Sequence, residues 1–363
     1  MKKQLLALSL LAAFAGMAHA QTNVTIYGLM DTGLVKETGS DLKMGEWNSS
    51  RLGFRGTEDL GGGYKATFQL EKRFYVNDGT INGVDWDGAS NVGLAGPFGA
   101  VRLGRVNEIE TESFRRLDPF NQEGVGSMLL GTQRTSRISN TMRYDSPSFS
   151  GFKLAAAYYL GKNTNKSTID TKDTNLVNAA NQGADNDGFA IGLNYDNGPL
   201  LLLANYARLS DSNSSNVWSL GGAYKIGPVK IGLGYERTDD KGWKFGAPSG
   251  KLNDTIGSVR SKQDNWILSA EYVNGAHKVA GSFNWMKVKD VKGSTNAYWA
   301  KDDSGDVKKY SIGYFYSLSK RTTLYGQLAY SDFEDKGVAQ FFRGKSFEND
   351  SVTGVQVGIN HKF

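Results

Sequence analysis

Apolar residues recur at every second position along most of this chain. In Tyr64 to Arg73, Tyr64, Ala66, Phe68 and Leu70 share one parity, while Lys65, Thr67, Gln69, Glu71 and Arg73 share the other. Val229, Ile231, Leu233 and Tyr235 alternate in the same way with Lys230, Gly232, Gly234 and Glu236, and Tyr310, Ile312, Tyr314 and Tyr316 form a further apolar row. An extended chain sends successive side chains to opposite faces, so each segment reads as a two-sided strand. The pattern predicts about sixteen such strands, from Asn23–Leu34 to Ser351–Phe363. The last one places Val355, Val357, Ile359 and Phe363 on one face and stops on the aromatic, as a strand does when it closes against the first.

The connections alternate too. Short turns contain Glu58-Asp59-Leu60-Gly61-Gly62, Ala95-Gly96-Pro97, Ser146-Pro147, Asp196-Asn197-Gly198-Pro199, Gly227-Pro228, Asn274-Gly275 and Ser319-Lys320. Between them lie long polar segments: Lys36–Glu46, Val106–Gln133, Gly161–Asp187, Thr238–Lys262, Lys289–Asp306 and Phe333–Asp350. Short turns at one end and long loops at the other are the plan of an outer-membrane barrel. A secreted β-sandwich or solenoid also alternates, but here the apolar faces are rich in aromatics, the opposite faces carry Lys, Arg, Glu and Gln, and no helix-length pattern could cover such a sheet. The expected fold is all-β: a transmembrane antiparallel β-barrel.

Composition sharpens this picture without changing it. Met1 to Ala20 has Lys2 and Lys3, an apolar run from Leu5 to Gly16, and Ala18-His19-Ala20 before Gln21, which reads as a signal peptide. Residues 21–363 then form one barrel domain, destined for the cell outer membrane. The 45 glycines and 6 prolines, with 12% aromatics, suit strands and turns. A mean hydropathy of −0.43 would suggest a soluble protein, but barrel strands dilute their apolar half, so windowed hydropathy carries little information. There are 42 basic against 37 acidic residues, well mixed, which points away from nucleic acid. With no cysteine, disulfides and thiolate metal sites are excluded.

Four segments resemble the Gram-negative general-diffusion porins, in particular the trimeric porins typical of beta-proteobacteria. They are Ser50-Arg51-Leu52-Gly53-Phe54-Arg55-Gly56-Thr57-Glu58-Asp59-Leu60-Gly61-Gly62-Gly63 with Phe68-Gln69-Leu70-Glu71; Val92-Gly93-Leu94-Ala95-Gly96 with Phe98 to Arg105; Arg143-Tyr144-Asp145-Ser146-Pro147 with Phe149 to Phe152; and the ending Gly358 to Phe363. The resemblance implies a sixteen-stranded barrel, a homotrimer, and passive diffusion of ions and small hydrophilic solutes. It also implies a third outer loop, here Val106–Gln133, folded into the lumen. That loop departs from the enterobacterial pattern, with Asp118-Pro119-Phe120-Asn121 where that branch has a Pro-Glu-Phe-Gly motif. From the same resemblance, Phe363 serves in the assembly signal read by the barrel-insertion machinery.

A barrel of this size holds water, so fixed charges at its narrowest point decide what passes. The inward parity supplies Arg51, Arg55, Arg73, Arg102, Arg137 and Arg143 as pore-lining bases, with Lys65 beside them. The loop supplies Glu108, Glu110, Glu112, Asp118 and Glu123, with Arg115 and Arg116 between. Wall arginines facing loop carboxylates would set up a transverse field with a slight preference for anions. Arg105 falls on the outward parity of Val101 and Leu103 unless its strand ends earlier. Tyr158, Trp218, Tyr224, Tyr235, Trp266, Tyr272, Tyr316 and Tyr330 would mark the interfacial girdles.

Enzyme motifs are thin. Asp31-Thr32-Gly33 matches the aspartic-protease triplet, yet it occurs once and that chemistry needs two carboxylates. Among the 3 histidines, His277 sits by a turn and His361 near the terminus, so neither suggests a hydrolytic triad. Asp185, Asp187, Asp303 and Asp306 are candidate calcium ligands in outer loops, although neither cluster fits the twelve-position loop. No cofactor is expected, and no catalysis. The alternatives are a channel selective for an anionic nutrient and, behind it, a barrel enzyme or adhesin acting through its loops.

Overall fold

The computed structural model describes residues 23–83, 85–129, 137–160, 187–209, 214–241, 260–292, 304–343 and 347–363. The leader, Asp185 and Asp303 lie outside them. The strands are β1 (Asn23–Glu37), β2 (Lys43–Gly45), β3 (Arg51–Gly61), β4 (Tyr64–Arg73), β5 (Ala89–Gly96), β6 (Gly99–Asn107), β7 (Arg137–Asp145), β8 (Phe152–Tyr159) and β9 (Gly188–Asn197). They continue as β10 (Leu200–Arg208), β11 (Asn216–Ile226), β12 (Val229–Lys241), β13 (Arg260–Asn274), β14 (His277–Lys292), β15 (Gly305–Ser317), β16 (Thr322–Phe333) and β17 (Ser351–Lys362). β2 is a three-residue ribbon on the extracellular half of β1, and the other sixteen strands form the wall.

From β3 onward every wall strand pairs antiparallel with the next, and β1 pairs with both β3 and β17. The closing register runs from Leu29↔Lys362 to Glu37↔Gly354. Beyond it, Phe363 and Gly28 exchange both backbone hydrogen bonds at 3.1 Å. A side chain on Gly28 would collide with the Phe363 ring. Closure pairs each of the sixteen wall strands on both sides among the described residues, which is the condition for a sheet in lipid.

The alternation holds strand by strand. Val355, Val357 and Ile359 are exposed on the outside, whereas Gln356 and Asn360, on the other parity, are buried on the inside. This inversion of the usual soluble pattern is the sheet's adaptation to a bilayer. Outward rings pack into a continuous band, with centroids 5.1 Å apart for Trp218 and Tyr235 (edge-on), 5.2 Å for Tyr235 and Trp266 (tilted), and 5.0 Å for the stacked Trp266 and Trp285.

Two features depart from the sequence reading. Several strands run further into the extracellular side: β12 reaches Lys241, β13 begins at Arg260 and β14 reaches Lys292, positions read above as loop. Their ends are polar, with Asp239, Asp240 and Lys241 on β12 and Lys289, Asp290 and Lys292 on β14, so no hydrophobic row marks them as strand. Among the described residues two short helices also form, α1 (Ile109–Phe114), continued by a 3₁₀ turn (Arg115–Leu117), and α2 (Lys336–Arg343). Each is too short to show a periodicity. α2 packs Val338 and Ala339 against Val307, Phe333 and Val352, with Leu129 and Phe342 beside them.

Candidate pore constriction

Residues 108–129, which follow β6, run along the inside of the wall. Ile109 packs with Ala155, Ala157, Tyr159, Ala190 and Ala207, and Phe114 and Leu117 pack with Leu201, Leu203, Ala223 and Ile267. Glycines on the inward rows make room: a Cβ at Gly221 or Gly234 would lie 2.5 or 2.6 Å from the Leu117 side chain.

Wall side chains then fasten the loop by its backbone. The carbonyl of Arg116 accepts from Lys230 Nζ (2.9 Å), that of Leu117 from Ser269 Oγ (2.7 Å), and that of Pro119 from Lys278 Nζ (2.8 Å). Trp47 Nε1 donates to Phe120 O, and Asn265 Nδ2 to Leu129 O. The N–H groups of Val125 and Gly126 donate to the side-chain oxygens of Gln356 and Gln327. The wall from β8 round to β17 thus faces a loop that crosses the barrel interior.

Asp31 anchors the same region. Its carboxylate accepts from Trp47 N (2.9 Å), Asn48 N (3.1 Å), Tyr325 Oη (2.7 Å) and Asn360 Nδ2 (2.9 Å). The triplet that matched a protease motif is a structural hub at the seam of the barrel. Nothing in the alternation pattern singled out Trp47, Tyr325, Gln327, Gln356 or Asn360 for this work.

The charges expected at the constriction divide sharply. Glu108 is buried, caps α1 by accepting from Thr111 N (2.7 Å), and accepts from Tyr159 Oη. Glu110 is fully buried against the wall. Asp118 is also buried and accepts from the N–H groups of Phe120, Gln122 and Met128 at 2.8 to 3.0 Å; burial pushes its carboxyl up while these donors pull it back. Glu108 and Asp118 thus satisfy backbone N–H groups of the loop itself, because an inward-folded loop must satisfy its polar backbone locally. Glu112 is the exposed acid on α1, 2.7 Å from Arg143. Glu123 accepts from Ser49 N and lies 3.6 Å from Arg73 and 4.0 Å from Arg51.

Among the arginines, Arg51, Arg55 and Arg73 occupy inward rows in register, Arg51 opposite Arg73 and Arg55 opposite Gln69. Arg73 is buried between Glu71 and Glu123. Arg102 and Arg143 are also opposite one another and share Asp145, at 2.6 and 2.8 Å. Arg137 stands apart from them. A register shift between Gly104 and Val106, with Asn140 at φ 54°, gives β7 one extra residue, so Ile138 takes the place beside Ile109. Arg137 stands opposite Asn107, among the charges of Arg73, Glu71, Asp87 and Arg105. Arg105 keeps its register opposite Ser90 and pairs with Asp87. Arg115, on the loop, is close enough to Arg51 for their charges to repel.

A closed, water-wide barrel narrowed by an internal loop is the architecture of a diffusion pore. The family model of Gram-negative porins matches residues 7–336. This chain belongs to the Gram-negative porins. An outer membrane porin protein of Bordetella pertussis is 34% identical over the whole of both chains. Outer membrane porin protein 32 of Delftia acidovorans is 32% identical, again over the whole of both. The solved anion-selective porin from Comamonas acidovorans superposes with a TM-score of 0.71 at 28% identity, covering 94% of this chain and 100% of that one. The porin is an outer-membrane protein, and its barrel is a channel for passive diffusion of ions and small hydrophilic solutes.

Of the candidate calcium ligands within the described residues, Asp187 accepts from Tyr158 Oη and Asp306 from Trp285 Nε1. No cluster of three or more metal-ligating residues forms among the described residues.

Proposed function

We propose that this porin prefers anions and works as a homotrimer without catalytic activity. The anion preference rests on one observation: the loop carboxylates Glu108, Glu110 and Asp118 are buried, while Arg51, Arg55 and Arg102 stand on inward rows of the wall and the charge of Arg115 adds to that of Arg51. The positive wall therefore meets a loop with fewer opposing charges than the sequence suggested, and a permeating anion meets a net attractive potential. The anion-selective porin from Comamonas acidovorans supports the same reading.

The homotrimer draws support from the outside of the barrel. Outward rows of β8 to β16 carry the Tyr and Trp girdle, with Tyr158, Trp218, Tyr224, Trp266, Tyr272 and Tyr330 among them. Those of β1 and β3 to β6 carry Val, Ile, Leu, Met and Phe, with Tyr64 only at the turn. A face lacking interfacial anchors suits protein contact better than lipid contact. Phe363 completes the seam and serves the insertion machinery, and cleavage after Ala20 exposes Gln21.

The test is a planar bilayer with a KCl gradient. A reversal potential displaced toward that of chloride, with current steps in groups of three, is the expected result. Displacement toward the potassium potential would refute anion preference, and single steps from a detergent-stable monomer would refute the trimer.

A further inference from the structure

We infer that Glu271 is a positioning residue for the constriction, acting on the loop through Lys230 and Lys278. It stands on the inward row of β13 with Ser269, which donates to Leu117 O directly. Glu271 works at one remove. Its Oε1 lies 3.3 Å from Lys230 Nζ, and its Oε2 lies 2.9 Å from Lys278 Nζ. Each ammonium then reaches the loop, Lys230 donating to Arg116 O and Lys278 to Pro119 O. One wall carboxylate is thus joined to both loop carbonyls through a pair of cations.

The strand register explains why one acid serves two lysines. Lys230 on β12 stands directly opposite Glu271, whereas Lys278 on β14 is opposite Val273 and reaches the carboxylate on the diagonal. A lysine carries its charge on a flexible stem, so a single carbonyl is a poor tether for it. The two side chains are 35% and 28% exposed, against 17% for Glu271, and without the acid each would turn into the water of the lumen. Glu271 holds them in place and offsets the repulsion between them. Lys278 is confined further by the Phe315 ring, whose centre is 5.0 Å from its Nζ, and Phe315 packs against Phe120 of the loop. The Arg116 side chain pairs with Asp196, so the 3₁₀ turn is fastened at side chain and backbone alike. A glutamine at position 271 would have one acceptor oxygen, no charge, and an NH₂ group facing an ammonium.

The experiment is a set of single-channel records of the trimer in a planar bilayer, with heat-modifiable gel mobility reporting that each variant has folded. Glu271→Gln should raise open-channel noise about threefold, because two charge-assisted contacts are lost. Its reversal potential in a KCl gradient should move toward chloride relative to the parent, since both ammonium groups lose their counter-charge. Packing alone would not move that potential. Glu271→Asp keeps the charge and should keep the parent's reversal potential, with noise well below that of the glutamine variant. In a Lys230→Met/Lys278→Met background the relay is already cut, and Glu271→Gln should add no further noise. Lys278→Met, which cuts the relay one step nearer the loop, carries the noise test if Glu271→Gln does not fold. A Glu271→Gln channel as quiet as the parent, an unmoved reversal potential, or the same added noise in the background lacking both lysines would each overturn the relay. The shift is read relative to the parent, so the relay and the anion preference can fail independently.

Discussion

Trp47 Nε1 donates to the carbonyl oxygen of Phe120 at 3.0 Å, tying the first outer loop to the third across the inside of the barrel. The indole also packs against Phe315 and Tyr325, with ring centroids 4.7 and 5.2 Å away. Its backbone N–H is held by Asp31. The constriction is therefore positioned through β1, the strand that closes the barrel, and not only by the wall it lies on.

Trp47→Phe keeps the ring contacts and removes the donor. One neutral hydrogen bond contributes about 1 kcal/mol, so the barrel's melting temperature should barely move. The loop, however, loses its tether at Phe120. Single-channel records should show more open-channel noise and sublevels than the parent protein.

Asp31→Asn is more severe. The carboxylate is surrounded by four donors, and an amide brings an NH₂ group of its own into that shell. With buried donors left unpaired, a loss of about 2–3 kcal/mol is expected. Thermal unfolding of the detergent-solubilised barrel should register it as a clear drop. An unchanged melting curve would show that the seam does not depend on this hub.

Glu112→Gln removes the exposed acid on α1 while Arg143 keeps Asp145. The lumen gains one net positive charge, and the reversal potential in a KCl gradient should move further toward chloride. Because the Debye length falls to about 3 Å at 1 M salt, the shift should shrink as salt is raised. A shift toward potassium would contradict the charge map.

Glu46 gives a pH dependence. It accepts from Ser50 N at 2.8 Å, but burial, aided by the charges of Asp31 and Glu123, raises its carboxyl from the usual 4.5 to about 7. A carboxyl that holds its proton more tightly in the folded loop contributes stability below pH 4.5, and that contribution is lost as pH rises through about 7. The first outer loop should therefore resist limited proteolysis better at pH 5 than at pH 8. Glu46→Gln should flatten the difference between those two conditions.

The barrel itself was legible because a membrane sheet writes its two environments on alternate residues: the rows of Tyr64 to Arg73 and of Val355 to Phe363 read directly as outside and inside. The constriction was only partly legible. Parity located Arg51, Arg55, Arg73, Arg102 and Arg143 on inward rows, but it loses its meaning at Arg137, where one inserted residue in β7 shifts the rows beyond it. The loop acids were harder still. Glu108 and Glu112 are both plausible lumen charges by composition; only the fold reveals that one caps a helix turn and the other meets an arginine. The polar anchors Gln327, Gln356 and Asn360 read as ordinary inward residues because their partners are hundreds of positions away.

Seven contacts grip the loop at its peptide groups: the carbonyls of Arg116, Leu117, Pro119, Phe120 and Leu129, and the amides of Val125 and Gly126. Every residue type except proline offers both such groups, so a grip of this kind is indifferent to what the loop displays. Substitutions at its exposed positions can retune the filter while the scaffold stays put. The molecule thus separates the part that sets the aperture from the part that sets its taste, and the second is free to drift.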